Sequence, residues 1–125
     1  MSASVEKKHR LSRSADFQKV YRNGKSVAGR YAVLYYFERA SENCGGPRLG
    51  VSVSRKVGGA VVRNQVKRVL KEVFRARKDT VAPNYDYVII ARPGLPEYME
   101  KSRFDEVVEM ITGLFRRANL IQEAD

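Results

Sequence analysis

The sequence has no tryptophan, a single histidine (His9), a single cysteine (Cys44) and little acid: 14 Asp and Glu against 24 Lys and Arg. Each shortage excludes something. With one histidine and no CxxC or HxxxH spacing, a transition-metal site has no ligand set. No Ser-His-Asp triad can be assembled around a lone histidine in a basic N-terminal stretch. One cysteine cannot close an internal disulfide, which suits a reducing cytoplasm. No apolar run approaches the roughly 18 residues of a membrane span, and the start, MSASVEKKHRLSRS, lacks the apolar core of a secretory signal. KVGGAVVRN has neither the spacing nor the closing Lys-Ser/Thr of a phosphate-binding loop. The carboxylates near the C-terminus (Asp105, Glu106, Glu109) fall where a solvated helix face is expected. No catalytic residues are expected on the protein.

What is present is positive charge, unevenly placed. The 125 residues carry a formal net charge of +10 and are 43% hydrophobic, which suits one folded domain over 1–125. The charge is concentrated in RKVGGAVVRNQVKRVLKEVFRAR, Arg55 to Arg77, where eight cations face the single acid Glu72. At about 100° per residue, Arg63, Lys67, Lys71 and Arg75 step through about 0°, 40°, 80° and 120°, with Asn64 and Arg68 in the same sector. Val62, Val66, Val69, Leu70, Val73 and Phe74 take the opposite side. The result is an amphipathic helix whose β-branched face suits packing on a sheet, and whose other face presents guanidinium and ammonium groups. Like charges four apart destabilise a helix by a few tenths of a kcal/mol per pair, so the stripe is unfavourable without a partner. It reads either as a site for a polyanion, nucleic acid first, or as a solvated face.

Around it the pattern is α-β-β-α-β-α. Residues 1–11 read as a flexible basic arm. Ser12 or Ser14 is placed to cap a helix running to about Arg22, ended by Gly24. Tyr31 to Glu38 alternates as a strand, with Tyr31, Val33, Tyr35 and Phe37 on one face. Ala40 to Arg48 reads as a hairpin loop and Leu49 to Ser54 as the next strand. After the basic helix come a loop (Val81 to Asp86), a buried strand (Tyr87 to Ala91), another loop (Arg92 to Tyr98), and a helix capped by Ser102. Gly50, Ser52 and Ser54 leave one strand face almost without side chains, as required under a close helix or as the floor of a groove. The tyrosines on or beside the sheet are either core or a surface on which unpaired bases stack.

Four segments carry a resemblance. SRKVGGAVVRNQVKRVLKEVFR resembles the signature helix of the bacterial ribonuclease P protein component, with its Arg-Asn and Lys-Arg pairs at Arg63, Asn64, Lys67 and Arg68. RLSRSADFQKVYRNGKSV resembles the family's N-terminal helix, LGVSVSRKVG its central strand and DYVIIARPG its late strand. Together they span about residues 10–118. The resemblance implies an α+β sandwich with a mixed sheet and a left-handed βαβ crossover, although about 98% of such crossovers are right-handed. It implies a subunit, one per RNA, that assists a catalytic RNA in removing the 5′ leader of precursor tRNA, with Mg²⁺ held mainly by the RNA. It assigns Arg55, Lys56, Arg63, Asn64, Lys67, Arg68, Lys71 and Arg75 to the catalytic RNA. To a leader-binding cleft it assigns Phe17, Tyr21, Tyr35 and Tyr87, with Arg30, Ser52, Lys56 and Arg92 as polar neighbours. Two positions depart from the pattern: Lys71, where many members carry Arg and a bidentate phosphate contact is lost, and Gly59, often Asn. A plain RNA-binding module and a self-sufficient nuclease are the competing classes. The first needs no groove for a single strand, and the second has no residues to perform it.

Overall fold

A computed structural model describes residues 10, 11, 13–40 and 46–122. Ser12, His9, Cys44, most of the expected arm and the middle of the loop at 40–48 lie outside them. The order is α1 (Ser14–Asn23), β1 (Lys25–Ala28), β2 (Ala32–Glu38), β3 (Arg48–Ser52), α2 (Ala60–Arg77), β4 (Tyr85–Ala91), α3 (Leu95–Lys101) and α4 (Phe104–Arg117). The four strands form one mixed sheet in the order β1-β2-β4-β3. β2 is antiparallel to both β1 and β4, whereas β3 runs parallel to β4 with α2 as the crossover between them.

The pleat divides the work of the sheet. Ala32 and Leu34 of β2, Leu49 of β3, and Tyr87 and Ile89 of β4 point to one face, and all are buried. There they meet Val66, Leu70, Val73 and Phe74 of α2 and Val107, Val108, Ile111, Leu114 and Phe115 of α4, at helical spacing. Val88 points the other way, into a smaller cluster with Leu11 and Val20, and Phe17, Tyr21, Tyr35, Phe37 and Ile90 pack around it. Among the described helices, α1 alone lies on that side.

Several expectations change. The connection from β2 to β3 is not a hairpin, because β4 lies between the two strands. β3 starts at Arg48 and ends at Ser52, two residues before Ser54. Residues 25–28 form an unexpected edge strand, with only Val27 packed against the core. The expected loop at 92–98 holds α3, since Pro96 sits in the helix's first turn, where the missing N–H costs nothing. Ser14 and Ser102 do not cap as expected, and Ser12 lies outside the described residues. Ser14 is inside α1, which starts after Arg13, and Ser102 ends α3. α4 is capped instead by Arg103, whose backbone N–H donates to the Glu106 carboxylate at 2.9 Å. The end of the expected arm is anchored: Leu11 is buried, and its N–H donates to the Leu49 carbonyl at 2.9 Å. Tyr31 precedes β2 and packs on the helix-rich side, not beside Val33 and Tyr35.

One buried acid ties the loop-side ends of three segments. Asp86, 2% exposed, accepts from Arg48 Nε and Nη2 at 2.8 and 2.7 Å, and Arg39 Nη1 lies 3.3 Å away. Arg39 continues outward, donating to the carbonyls of Gly46 and Pro83. Asp86→Ala removes the buried carboxylate that both guanidinium groups engage and should cost about 3 kcal/mol of stability. Chemical denaturation measures this, and a loss under about 1 kcal/mol would show that water replaces the carboxylate freely.

Candidate nucleic-acid interface

Helix α2 follows the turn 55–57, in which the buried Val57 donates its N–H to the Ser54 carbonyl and leaves Arg55 and Lys56 exposed. With Val66, Leu70, Val73 and Phe74 turned into the core, the opposite side is presented outward. Asn64, Arg68 and Arg75 are exposed, and Arg63, Lys67 and Lys71 are half-buried along their stems. Among the described residues no acid pairs with any cation of this stripe. The carboxylates engage elsewhere: Asp86 with Arg39 and Arg48, Glu97 with Lys101, Asp105 with Arg103, and Glu109 with Arg116. The first turn of α2 also contains no acid. A solvated charged face ordinarily mixes both signs, as α3 and α4 do here. The α2 stripe is a concentrated, uncompensated positive field suited to a phosphate backbone.

The second element lies on the opposite face of the sheet. α1 crosses it with Val20 wholly buried and Phe17 against the edge strand. A Cβ added at Gly50 would lie 2.6 and 2.7 Å from Phe17 ring carbons, so the absence of a side chain there admits the ring. Of the two readings of this bare strand face, helix packing holds at Gly50. Further along the strand the face stays open, and half-buried Ser52 stands beside Tyr21. Tyr21 packs edge-on against Tyr35, with centroids 5.1 Å apart, and Phe17 lies 6.4 Å from Tyr21. Burial, helped by neighbouring Tyr35, raises the Tyr21 phenol above its ordinary value, while the Ser52 hydroxyl lowers it. The phenol therefore stays neutral at physiological pH and keeps its proton to donate. The result is a half-exposed row of aromatic rings ending at the small-residue strand β3. β3 is one edge of the sheet and leads through residues 53–59 into α2, so the aromatic cleft and the basic stripe flank one strand.

The cleft assignments do not all gather here. Phe17, Tyr21, Tyr35 and Ser52 do. Arg92, exposed one residue beyond β4, has the same parity as Val88 and Ile90 and so falls on this face. Tyr87 does not. It is fully buried on the other face, 4.9 Å from the Phe115 ring and 6.2 Å from Phe74, and its hydroxyl donates to the Ala82 carbonyl at 2.7 Å. Its phenol is driven far up by desolvation. Residues 87 and 92 are five apart on one strand path and cannot share a face, a parity already present in the spacing. Arg30 also lies elsewhere, at the β1–β2 turn with its guanidinium 5.4 Å from the Tyr31 ring centre, beside α3 and α4. Val33, Phe37 and Ile90 are also half-buried on the cleft side, beyond the residues the resemblance assigns there; their alternation with Tyr35 and Val88 is the signal that finds them. Lys19 of α1 lies 5.4 Å from the Phe37 ring centre, adding a cation at the cleft's end.

Comparison with known proteins gives the family. The family model for ribonuclease P matches residues 5–119. A ribonuclease P protein component from Bacillus cereus is 38% identical over 120 residues, covering 96% of each chain. The Staphylococcus aureus RNase P protein superposes with a TM-score of 0.76 at 31% identity, covering 90% of this chain and 96% of that one. The RNase P protein of Thermotoga maritima gives 0.76 at 34% identity, covering 86% and 96%. The chain belongs to the ribonuclease P protein component family, and its role is that of a subunit in tRNA 5′-end processing.

Proposed function

We propose that the protein binds the catalytic RNA of ribonuclease P through the α2 stripe and the single-stranded 5′ leader of precursor tRNA through the aromatic cleft, in the cytoplasm and as one subunit per RNA. The observation that carries this reading is the uncompensated charge of α2, next to an aromatic surface on the far face of the same edge strand. Arg55, Lys56, Arg63, Lys67, Arg68, Lys71 and Arg75 supply phosphate contacts. Asn64, exposed among them and uncharged, supplies a hydrogen bond that charge alone cannot. Phe17, Tyr21 and Tyr35 supply stacking surfaces for unpaired bases, which suits a leader of any sequence. Ser52 and Arg92 supply a hydroxyl and a cation at the edge.

Catalysis belongs to the RNA in this reading. Among the described residues no three His, Cys, Asp or Glu side chains converge into a metal-binding group. The ion is assigned mainly to the RNA. The protein's contribution is to hold the precursor by a segment that mature tRNA lacks, favouring substrate over product. No helix among the described residues is long and apolar enough to cross a membrane.

At low Mg²⁺, cognate RNA plus protein should cleave precursor tRNA while protein alone should not; cleavage by protein alone would overturn the assignment of catalysis. Tyr21→Ala and Tyr35→Ala should each weaken precursor binding by about 1–3 kcal/mol and leave mature tRNA binding unchanged. Tyr87→Ala should instead lower fold stability by about 3–5 kcal/mol, the cost of emptying a packed aromatic site. Thermal melts alongside both tRNA affinities separate these outcomes, and equal losses for both tRNAs would place the leader elsewhere. If the stripe neutralises about five phosphates, log K for the catalytic RNA should fall against log salt with a slope near −4. Arg63→Ala and Lys67→Ala should each flatten it, and a slope near zero in the native protein would rule out the electrostatic contact.

A further inference from the structure

The side of the molecule away from the cleft carries a second basic, aromatic feature. Met110, Gly113, Leu114 and Arg117 recur along α4 at i, i+3, i+4 and i+7, forming one stripe that faces the turn 29–31. Gly29 allows the close approach: a Cβ there would lie 2.8 Å from Leu114 Cδ2. Gly113 does the reverse, since a Cβ at that position would meet nothing within 4 Å. The open space beside it belongs to a cavity of about 590 Å³ between the turn and α4. Tyr31 forms part of its wall and stacks on Tyr98 of α3, with centroids 4.3 Å apart and planes 22° from parallel. The Arg30 guanidinium lies over the Tyr31 ring and makes no hydrogen bond or ion pair with any described residue. Arg116 and Arg117 complete the rim. Arg116 pairs with Glu109 at 3.1 Å, and Arg117 donates to the Ala28 carbonyl at 3.1 Å.

We propose that this cavity is a second RNA-binding site that takes one unpaired nucleotide, with its base against the Arg30–Tyr31 stack and its phosphate at Arg116 and Arg117. This rests on the protein's being an RNA-binding subunit. It adds a contact separate from both the α2 stripe and the leader cleft. The apolar floor of Met110 and Leu114 alone would suit an apolar side chain of a protein partner. The rim decides between them: three guanidinium groups surround the opening, and among the described residues Glu109 pairs with Arg116 while nearby Glu97 pairs with Lys101, so an anion is favoured. Planar guanidinium and aromatic groups are the side chains on which unstacked RNA bases rest. The site is wide enough for a base, since pockets for small ligands run from about 300 to 1,000 Å³. The nucleotide can come from the catalytic RNA or from the precursor, and the two sources separate experimentally.

Gly113→Leu fills the cavity without altering charge and replaces a mid-helix glycine by a better helix former. Arg30→Gln removes the free guanidinium from an exposed position. Each variant is measured for affinity towards the catalytic RNA and, as assembled holoenzyme, towards precursor and mature tRNA, with Arg63→Ala as the control for the α2 contact. Both cavity variants should lose about tenfold in affinity, the equivalent of one stacked base, with unchanged melting temperature. A loss towards the catalytic RNA identifies that RNA as the source, and a loss only in precursor binding identifies the precursor. If Gly113→Leu lowers the melting temperature, Arg30→Gln decides alone. Native-like affinities for every RNA, while Arg63→Ala weakens binding, would overturn the second site and leave the subunit assignment intact. Indifference of all three variants would overturn both. A cavity variant that changes only the self-association of the protein would show the site to be a protein contact.

Discussion

The structure depends on the two-sided burial of β4. Because this strand is interior to the sheet, its pleat sends Tyr87 and Ile89 into the main core and Val88 into the smaller one, all fully buried. The main core holds α2 and α4 against the sheet. The smaller one holds α1 and leaves the rest of that face free for aromatic rings. A one-residue slip in register would exchange the two sets and lose both cores. Asp86, at the start of the same strand, guards that register by binding Arg48 of β3 on one side and Arg39, beyond β2, on the other.

Burial on the inner face is what allows α2 to carry its charge. The three like-charged i,i+4 pairs of Arg63, Lys67, Lys71 and Arg75 oppose helix formation by tenths of a kcal/mol each, and no acid in the first turn favours the N-terminal end. Against this stand Val66, Leu70, Val73 and Phe74, all nearly inaccessible to water, each worth about 1.5–3 kcal/mol of transfer free energy. Packing therefore outweighs repulsion, and the stripe stays unneutralised for a partner. In the proposed contact with RNA phosphates, relief of that repulsion would add to the affinity, and release of the RNA's counterions would make the contact sensitive to salt.

Much of this was legible in the amino-acid order because it depends on local periodicity. The 3.6-residue repeat of α2 and the alternation of Val33, Tyr35 and Phe37 in β2 match the faces observed, and the four family-like segments point to the fold. What was not legible depends on tertiary pairing. β1 is short and only Val27 turns inward, so its pattern is too weak to read, and its existence follows from pairing with β2. The proposed hairpin between β2 and β3 failed because nothing local announces that β4 will insert between them. Tyr87 and Arg30 were assigned by analogy without register; parity moves the first into the core, and the approach of the turn to α4 moves the second to the far side. Pro93, Gly94 and Pro96 suggested a loop, yet a proline in the first turn is compatible with the helix that forms there.

If, as proposed, the protein offers its subunit partner one face and the leader another, it should show a graded response to the leader itself. The most direct measurement is holoenzyme affinity for precursor tRNAs whose 5′ leaders are lengthened one nucleotide at a time. Affinity should rise over the first several nucleotides, as successive bases reach the rings of Tyr35, Tyr21 and Phe17, and then level off. Affinity independent of leader length, with the protein present and the catalytic RNA saturated, would contradict leader binding by this subunit.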